Sequence, residues 1–291
     1  MMLVRVGHQF RITVEQPTPL ICLVAPEAAR HPDFVAPEEV TTTPEVEVHE
    51  YRDRFDNICR RMIAPAGEFI LRGDVTLYDS EAWDEVDPDA QEVPVEELPD
   101  EALMFLMPSR YVESDVLSQQ AWDLFGQVTP GWGRVQAILD HGHKVLRFDY
   151  GTASVFRTAH DASQGGTGVC RDFAHLSLAY LRAMNIPARY VNGYVGDIGV
   201  PKVDAPMDFA AWIEVFLSGR WWTFDPRNNE RRLGRVVVAR GHDAADVSML
   251  SSFGPHTLTG FDVWCHPVDK EGNELPGMDY GPQPPKALTV G

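Results

Sequence analysis

A glycine-rich turn that runs directly into a helical pattern is the feature that most constrains the fold of this chain. Three glycines, Gly165, Gly166 and Gly168, come just before Cys170. Apolar side chains then recur at the spacing of one helix face. They are Phe173, Leu176, Tyr180 and Met184. The pattern predicts a helix that begins close to Cys170 and buries one stripe of side chains.

The position of Cys170 leaves two interpretations open. At a helix N-terminus the dipole and the free N–H groups favour an anion, so we expect a thiol with a lowered pKa that acts as a nucleophile. The same N–H groups could stabilise an oxyanion. Alternatively, Cys170 is a buried and inert cysteine. We expect the other three cysteines, Cys22, Cys59 and Cys265, to be inert.

The stretch "AWIEVFLSGRWWTFD" predicts a β-hairpin, because two alternating runs flank Ser218-Gly219, which fits a two-residue turn. The register then pairs Trp212 with Asp225. Position 210 lies on the same face, diagonal to Asp225, with about 7–8 Å between the backbones. A histidine at position 210 would be well placed for orientation by Asp225, but the chain has Ala210 there.

Three blocks, "GVCRDFAHL", "AMNIPARYVNGY" and "DFAAWIEVFLSGRWWTFDPRN", together resemble the bacterial transglutaminase-like superfamily, whose members are often labelled cysteine proteases. The resemblance covers about residues 120–265. It implies a papain-like α+β fold, with Cys170 as the nucleophile on a helix and Asp225 as the orienting acid on an antiparallel sheet. The family pattern reads Asp-Phe-His-Ala-Trp at the point where this chain has Ala210, so the resemblance implies a missing base.

Two explanations of Ala210 are open. Either the chain carries an engineered His→Ala change that inactivates it, or it is a natural pseudoenzyme; the intact surroundings favour the first. His175 is expected to be a packed histidine, since it lies about 140° round the helix from Cys170. His160, on the approach to the glycine turn, is the first substitute base to test.

Two further residues are substrate or oxyanion candidates. Gln164 lies six residues before Cys170, where a glutamine donates to the oxyanion in papain-like proteases, although a solvated loop residue is an equal interpretation. Trp212 could line a substrate groove or belong to the core. Glu214 shares the face of Asp225 and is a weaker candidate for holding a substrate amine.

The predicted secondary structure and the composition divide the chain into three parts. Residues 1–112 are rich in short alternating runs and predict a β-sandwich domain. One of these runs, "EFILRGDVTLYD", contains a predicted turn at Arg72-Gly73-Asp74. Residues 113–270 mix helical and strand patterns and form the expected transglutaminase-like core. Residues 271–291 are rich in proline and glycine and are expected to be an irregular tail.

The net charge of −18 argues against nucleic acid and anionic membranes as partners. No CxxC pair occurs, so we expect no metal and no cofactor, and the charged start of the chain predicts a cytoplasmic protein. The predicted function is a cysteine hydrolase or acyltransferase acting on peptide or protein amides through a Cys170 thioester. The alternative is a peptide-binding protein without activity. The sequence does not decide between hydrolysis and transamidation.

Overall fold

The computed structural model describes residues 1–203 and 206–275. Its strands are β1 (Met2–Val14), β2 (Thr18–Cys22), β3 (Glu39–Thr43), β4 (His49–Arg52), β5 (Ile58–Ala64), β6 (Gly67–Asp79), β7 (Leu146–Phe148), β8 (Gly166–Gly168), β9 (Ala188–Tyr194), β10 (Ala210–Leu217), β11 (Arg220–Phe224), β12 (Val236–Gly241), β13 (Leu250–Ser252) and β14 (His256–Val268). Its α-helices are α1 (Asp100–Leu103), α2 (Ser118–Phe125), α3 (Trp132–Val145), α4 (Ala159–Ser163) and α5 (Cys170–Ala183).

The N-terminal strands form two antiparallel four-stranded sheets, in the orders β14-β1-β6-β3 and β13-β2-β5-β4. Every second residue of β1 is buried, as a half-buried strand requires, and both sheets contribute to one apolar core. The predicted turn at Arg72-Gly73-Asp74 is wrong, because β6 runs through it without a break. Gly73 is needed there for close packing: an added Cβ would lie 2.5 Å from Cε1 of His8.

The end of the expected core belongs to the N-terminal sheets. Strand β14 pairs with β1 from Leu3 opposite Val268 to Val14 opposite His256, and β13 pairs with β2. The expected boundary at residue 270 therefore assigns these two strands to the wrong layer, because strand alternation does not say which sheet a strand joins. Of the expected tail, residues 276–291 lie outside the described residues.

The second half of the molecule is built on an antiparallel sheet in the order β11-β10-β9-β12. Helix α5 packs against β9 and β10, and α2, α3 and α4 pack against α5. The fold is therefore α+β, as predicted. None of the helices in the described ranges is long and apolar enough to cross a membrane.

The predicted hairpin and its register are confirmed. Leu217 lies opposite Arg220, and the pairing continues along β10 and β11. Ser218 and Gly219 both have positive φ, 48° and 81°, which is the geometry of a tight hairpin turn that matches the twist of the strands. The hairpin brings the start of β10, at Ala210, and the end of β11 to the same end of the two strands.

Candidate active site

Cys170 is the first residue of α5, as the sequence predicts. Gly165 and Gly166 precede it with φ of 82° and 102°, a backbone conformation that side chains disfavour, and so the turn needs glycine. The carboxylate of Asp172 accepts a hydrogen bond of 2.9 Å from the backbone N–H of Val169, which closes the first turn of the helix. This local structure holds the thiol at the helix N-terminus.

The predicted apolar stripe anchors α5 in the core. Its four members are almost fully buried; they are Phe173, Leu176, Tyr180 and Met184. His175 is buried too, stacked on Tyr111 with ring centroids 5.2 Å apart, and its Nε2 accepts a hydrogen bond from the Ala244 N–H at 3.2 Å. His175 is thus a packed histidine, as expected.

Cys170 and Ala210 line the same cleft, which has a volume of about 850 Å³. Residues 263–267 of β14 form part of its wall, so the cleft lies between the core sheet and the N-terminal sandwich. Ala210 lies opposite Gly193 in the sheet and is partly exposed to the cleft. A side chain larger than alanine at position 210 would therefore have space in front of it.

The surroundings of Cys170 raise the pKa of its thiol to about 11, mainly through burial. The backbone N–H groups of Ala211 and Arg171 favour the thiolate, whereas the negative charges of Asp208 and Asp225 oppose it. The expectation of a lowered pKa is therefore wrong. The helix N-terminus does act in the predicted direction, but burial outweighs it.

Asp225 follows β11 directly and is buried. Its carboxylate accepts hydrogen bonds from the backbone and side-chain N–H groups of Asn228, at 2.9 and 2.8 Å, and from Nη2 of Arg235 at 2.7 Å. Burial opposes ionisation, but Arg235 and Asn228 together hold the pKa of Asp225 below its usual range. Arg235 also binds Asp84 at 2.9 Å. Asp225 is thus an ionised carboxylate with a buried arginine as its partner.

Three predicted site residues lie outside the lining of this cleft: Asp225, Gln164 and Trp212. Gln164 is exposed at the end of α4, and its side-chain amide donates to Oγ of Ser163 at 3.2 Å. Trp212 is 1% exposed and packs on Gly193, where an added Cβ would lie 2.6 Å from the indole. Trp212 is therefore a core residue. Side chains alternate along β10, and the side chain of Trp212 lies on a face of the sheet that is buried.

The weaker candidates are also placed elsewhere. His160 is exposed on α4 and does not line the cleft. Glu214 is buried and bound by Arg189 at 2.6 Å and by Arg240 at 2.9 Å, so its carboxylate has no free face for a substrate amine. In residues 1–203 and 206–275, no group of three or more histidine, cysteine or acidic side chains could hold a metal ion.

Tyr150 and Asp208 are among the lining residues that were not predicted from the sequence. Asp208 lies two positions before Ala210, within the quoted pattern, but nothing in its spacing indicates a role. Tyr150 has no sequence signal that indicates a role in the site either. It lies on a short 3₁₀ turn whose position near Cys170 depends on tertiary structure alone.

Part of this chain is similar in sequence to a known family and to mycobacterial proteins. The family model described as "Transglutaminase-like superfamily" matches residues 119–226. An uncharacterized protein of Mycobacterium leprae is 40% identical over 127 residues, which are 40% of this chain and 44% of that protein. An uncharacterized protein of Mycobacterium tuberculosis is 35% identical over 109 residues, 34% of this chain and 35% of that protein. The alignments thus span less than half the length of these relatives.

A solved structure matches almost the whole chain. It is described as a putative cysteine protease from Cytophaga hutchinsonii, and it is 28% identical with a TM-score of 0.79. The match covers 96% of this chain and 94% of that one, so it includes the β-sandwich as well as the core. Residues 119–226 thus match the transglutaminase-like superfamily, and the fold of the whole chain is similar to that of this solved structure.

Proposed function

We propose that the cleft is a site for acyl transfer from peptide or protein amides through a thioester on Cys170, and that this chain lacks the general base of that reaction. The observation that carries the proposal is that Cys170 and Ala210 line one cleft, where the backbone N–H of Ala211 favours the thiolate form of Cys170. Position 210 is where the family pattern has histidine. An imidazole there would have the thiol and the cleft in front of it.

The complete reaction needs a group that takes up a proton twice, from the thiol of Cys170 and later from water, and gives it up twice, to the leaving amine and later to the sulfur of Cys170. The thiolate of Cys170 attacks the carbonyl carbon, a C–S bond forms, and the oxyanion is stabilised by N–H groups at the start of α5. The C–N bond then breaks, and the leaving amine needs a proton. Water, deprotonated by the same base, attacks the thioester and releases the acid and the thiol. An amine in place of water would give transamidation.

Without a base at position 210, both steps are impaired. A thiol with a pKa of about 11 is ionised in about one molecule in 10⁴ at pH 7. The methyl side chain of Ala210 cannot donate a proton to the leaving amine. General acid–base assistance is typically worth about 10²–10⁴-fold. Asp225 does not compensate, because Arg235 and Asn228 occupy its carboxylate.

Hydrolysis is the outcome that we propose for the completed site. Glu214, the acidic residue best placed by sequence to hold an acceptor amine, is bound by Arg189 and Arg240 instead. The thioester chemistry is common to both outcomes, and the second nucleophile alone separates them. Water reaches a cleft of about 850 Å³ without a dedicated binding site.

The test is turnover by three proteins: the chain with Ala210, the variant Ala210→His, and the double variant Ala210→His/Cys170→Ala. The substrates are a panel of glutamine-containing and general peptide amides, with release of acid and incorporation of an added amine measured separately. We expect activity in Ala210→His and none in the double variant. If Ala210→His turns over no substrate, acyl transfer is wrong.

A second candidate function is peptide binding without turnover. The observation in its favour is the protonated thiol of Cys170, which leaves a shaped cleft with no ionised nucleophile at neutral pH. This function predicts that Ala210→His gains no activity and that peptides bind equally well to both proteins. Equilibrium binding to each, measured beside turnover, separates the two functions.

A further inference from the structure

Asp208 is a carboxylate in the active cleft that has no cationic partner among residues 1–203 and 206–275. It is half-buried and lines the cleft together with Cys170 and Ala210. Its Oδ1 accepts a hydrogen bond of 2.7 Å from the backbone N–H of Phe209. Burial raises the pKa of Asp208, and only this backbone hydrogen bond opposes the effect within the described residues. A partly buried carboxylate without a cation is costly unless a ligand supplies one.

The other acidic groups of the site differ from Asp208 in this respect. Asp225 is bound by Arg235, and Asp197 is bound by Arg232 at 3.3 Å. The chain has a net charge of −18, but both of these carboxylates are already bound by an arginine. Asp208 therefore offers a free charged acceptor close to the thiol.

An aromatic ring adds to the chemistry of this position. Tyr150 lines the same cleft, and the charges of Cys170 and Asp208 both raise the pKa of its hydroxyl, after the larger effect of burial. The three residues therefore line one cleft, within range of one another's charge. Arg227 opposes that rise in pKa, and its guanidinium lies over the ring of Phe148 at 4.1 Å. A carboxylate beside an aromatic face is a suitable environment for an organic cation.

We propose that Asp208 and Tyr150 form a subsite for a basic side chain, arginine or lysine, next to the amide that Cys170 attacks. The inference rests on the proposed function for the nature of the occupant, a peptide or protein amide. Asp208 acts here as a specificity-determining residue, because its carboxylate would hold the cationic group while the amide lies at the thiol.

Occupation of this subsite also changes the thiol. The negative charge of Asp208 opposes ionisation of Cys170. A bound guanidinium or ammonium group neutralises that charge, so a basic substrate favours the thiolate that attacks it. The subsite therefore couples recognition to activation, and a neutral substrate of the same shape lacks both effects.

The first test measures equilibrium binding to the chain with Ala210, which requires no turnover. The probes are acetylated pentapeptide amides with one arginine moved through the five positions, each compared with its citrulline twin, which is neutral and nearly isosteric. For one arginine position we expect about tenfold tighter binding than for citrulline. The preference should fall to about one in Asp208→Asn and persist in Asp115→Asn, an exposed acid outside the cleft.

A second readout detects the charge of Asp208 without any peptide. Asp208→Asn should increase the rate at which iodoacetamide alkylates Cys170 at pH 8, by about three- to tenfold, whereas Asp115→Asn should leave it unchanged. Equal affinity for arginine and citrulline peptides, or a preference that survives Asp208→Asn, overturns the proposal. An arginine preference that depends on Asp208, combined with an inactive Ala210→His, would reject acyl transfer and keep the subsite.

Discussion

Iodoacetamide should alkylate Cys170 slowly, and the rate should rise steadily with pH. The thiolate is the reacting species, and its fraction at pH 8 is about one in 10³ for a pKa of about 11, against about one in ten for the ordinary value of 9.0. A more basic thiolate is intrinsically more nucleophilic, which recovers about tenfold of this hundredfold difference. Cys170 should therefore react about tenfold more slowly than a cysteine in an unstructured peptide.

The assay follows carbamidomethylation of each cysteine by mass spectrometry between pH 7 and 10. The logarithm of the rate at Cys170 should increase by about one per pH unit, without a plateau. The buried Cys22 and Cys265, whose pKa values are raised to about 12, serve as internal references for unfolding. In Ala210→His the profile should gain a plateau at lower pH, since an imidazolium favours the thiolate.

A plateau below pH 8 in the chain with Ala210 would refute this reasoning. It would mean that a cation already stabilises the thiolate, so that burial and the charges of Asp208 and Asp225 do not dominate the environment of Cys170. His160 would then be the first residue to replace.

Three further predictions concern stability. Arg235→Met removes the cation that binds the buried Asp225 and the partly buried Asp84, and should lower the free energy of unfolding in urea by about 3–5 kcal/mol. Arg220→Met, which removes an exposed ion pair, should cost at most about 1 kcal/mol, and equal losses would contradict the account. Leu176→Ala opens a cavity under α5 and should cost about 2–5 kcal/mol in the same assay, so a loss below 1 kcal/mol would show that the stripe is not packed. The pKa of Asp225 is lowered in the folded state, so its stabilising contribution is complete above about pH 4–5 and is lost as the pH falls through the folded pKa. Unfolding of Asp225→Asn should depend less on pH below 4, and an unchanged acid profile would argue against this ionised carboxylate.

Local patterns predicted the elements that position the site. The helical stripe from Phe173 to Met184 needs only its own spacing, and the hairpin register follows from a turn in which Ser218 and Gly219 take positive φ. Properties that depend on neighbours distant in sequence could not be predicted from local patterns. The raised pKa of Cys170 depends on its burial and on Asp208 and Asp225, all of which come from tertiary packing.

Close packing explains why the turn predicted at Gly73 is wrong and decides the question that the sequence left open at Trp212. Gly73 lies in a continuous strand because the ring of His8 leaves no room for a Cβ. Trp212 is buried because Gly193 lets the indole pack directly on the next strand. In both cases the structure of one segment depends on a contact with a residue of another segment. A single sequence does not show which residues make that contact. The same is true of β14, whose partner β1 begins at the other end of the chain.

The central claim is that the site lacks only a base at position 210 for reaction at Cys170. The most direct test is the intact mass of Ala210→His, quenched in acid within the first turnover on a peptide thioester or activated amide, followed by peptide mapping. The account predicts an acyl adduct on Cys170 that disappears as the substrate is consumed, about 10²-fold or more above the chain with Ala210. No adduct on Cys170 in Ala210→His, or an equal amount in the chain with Ala210, would contradict it.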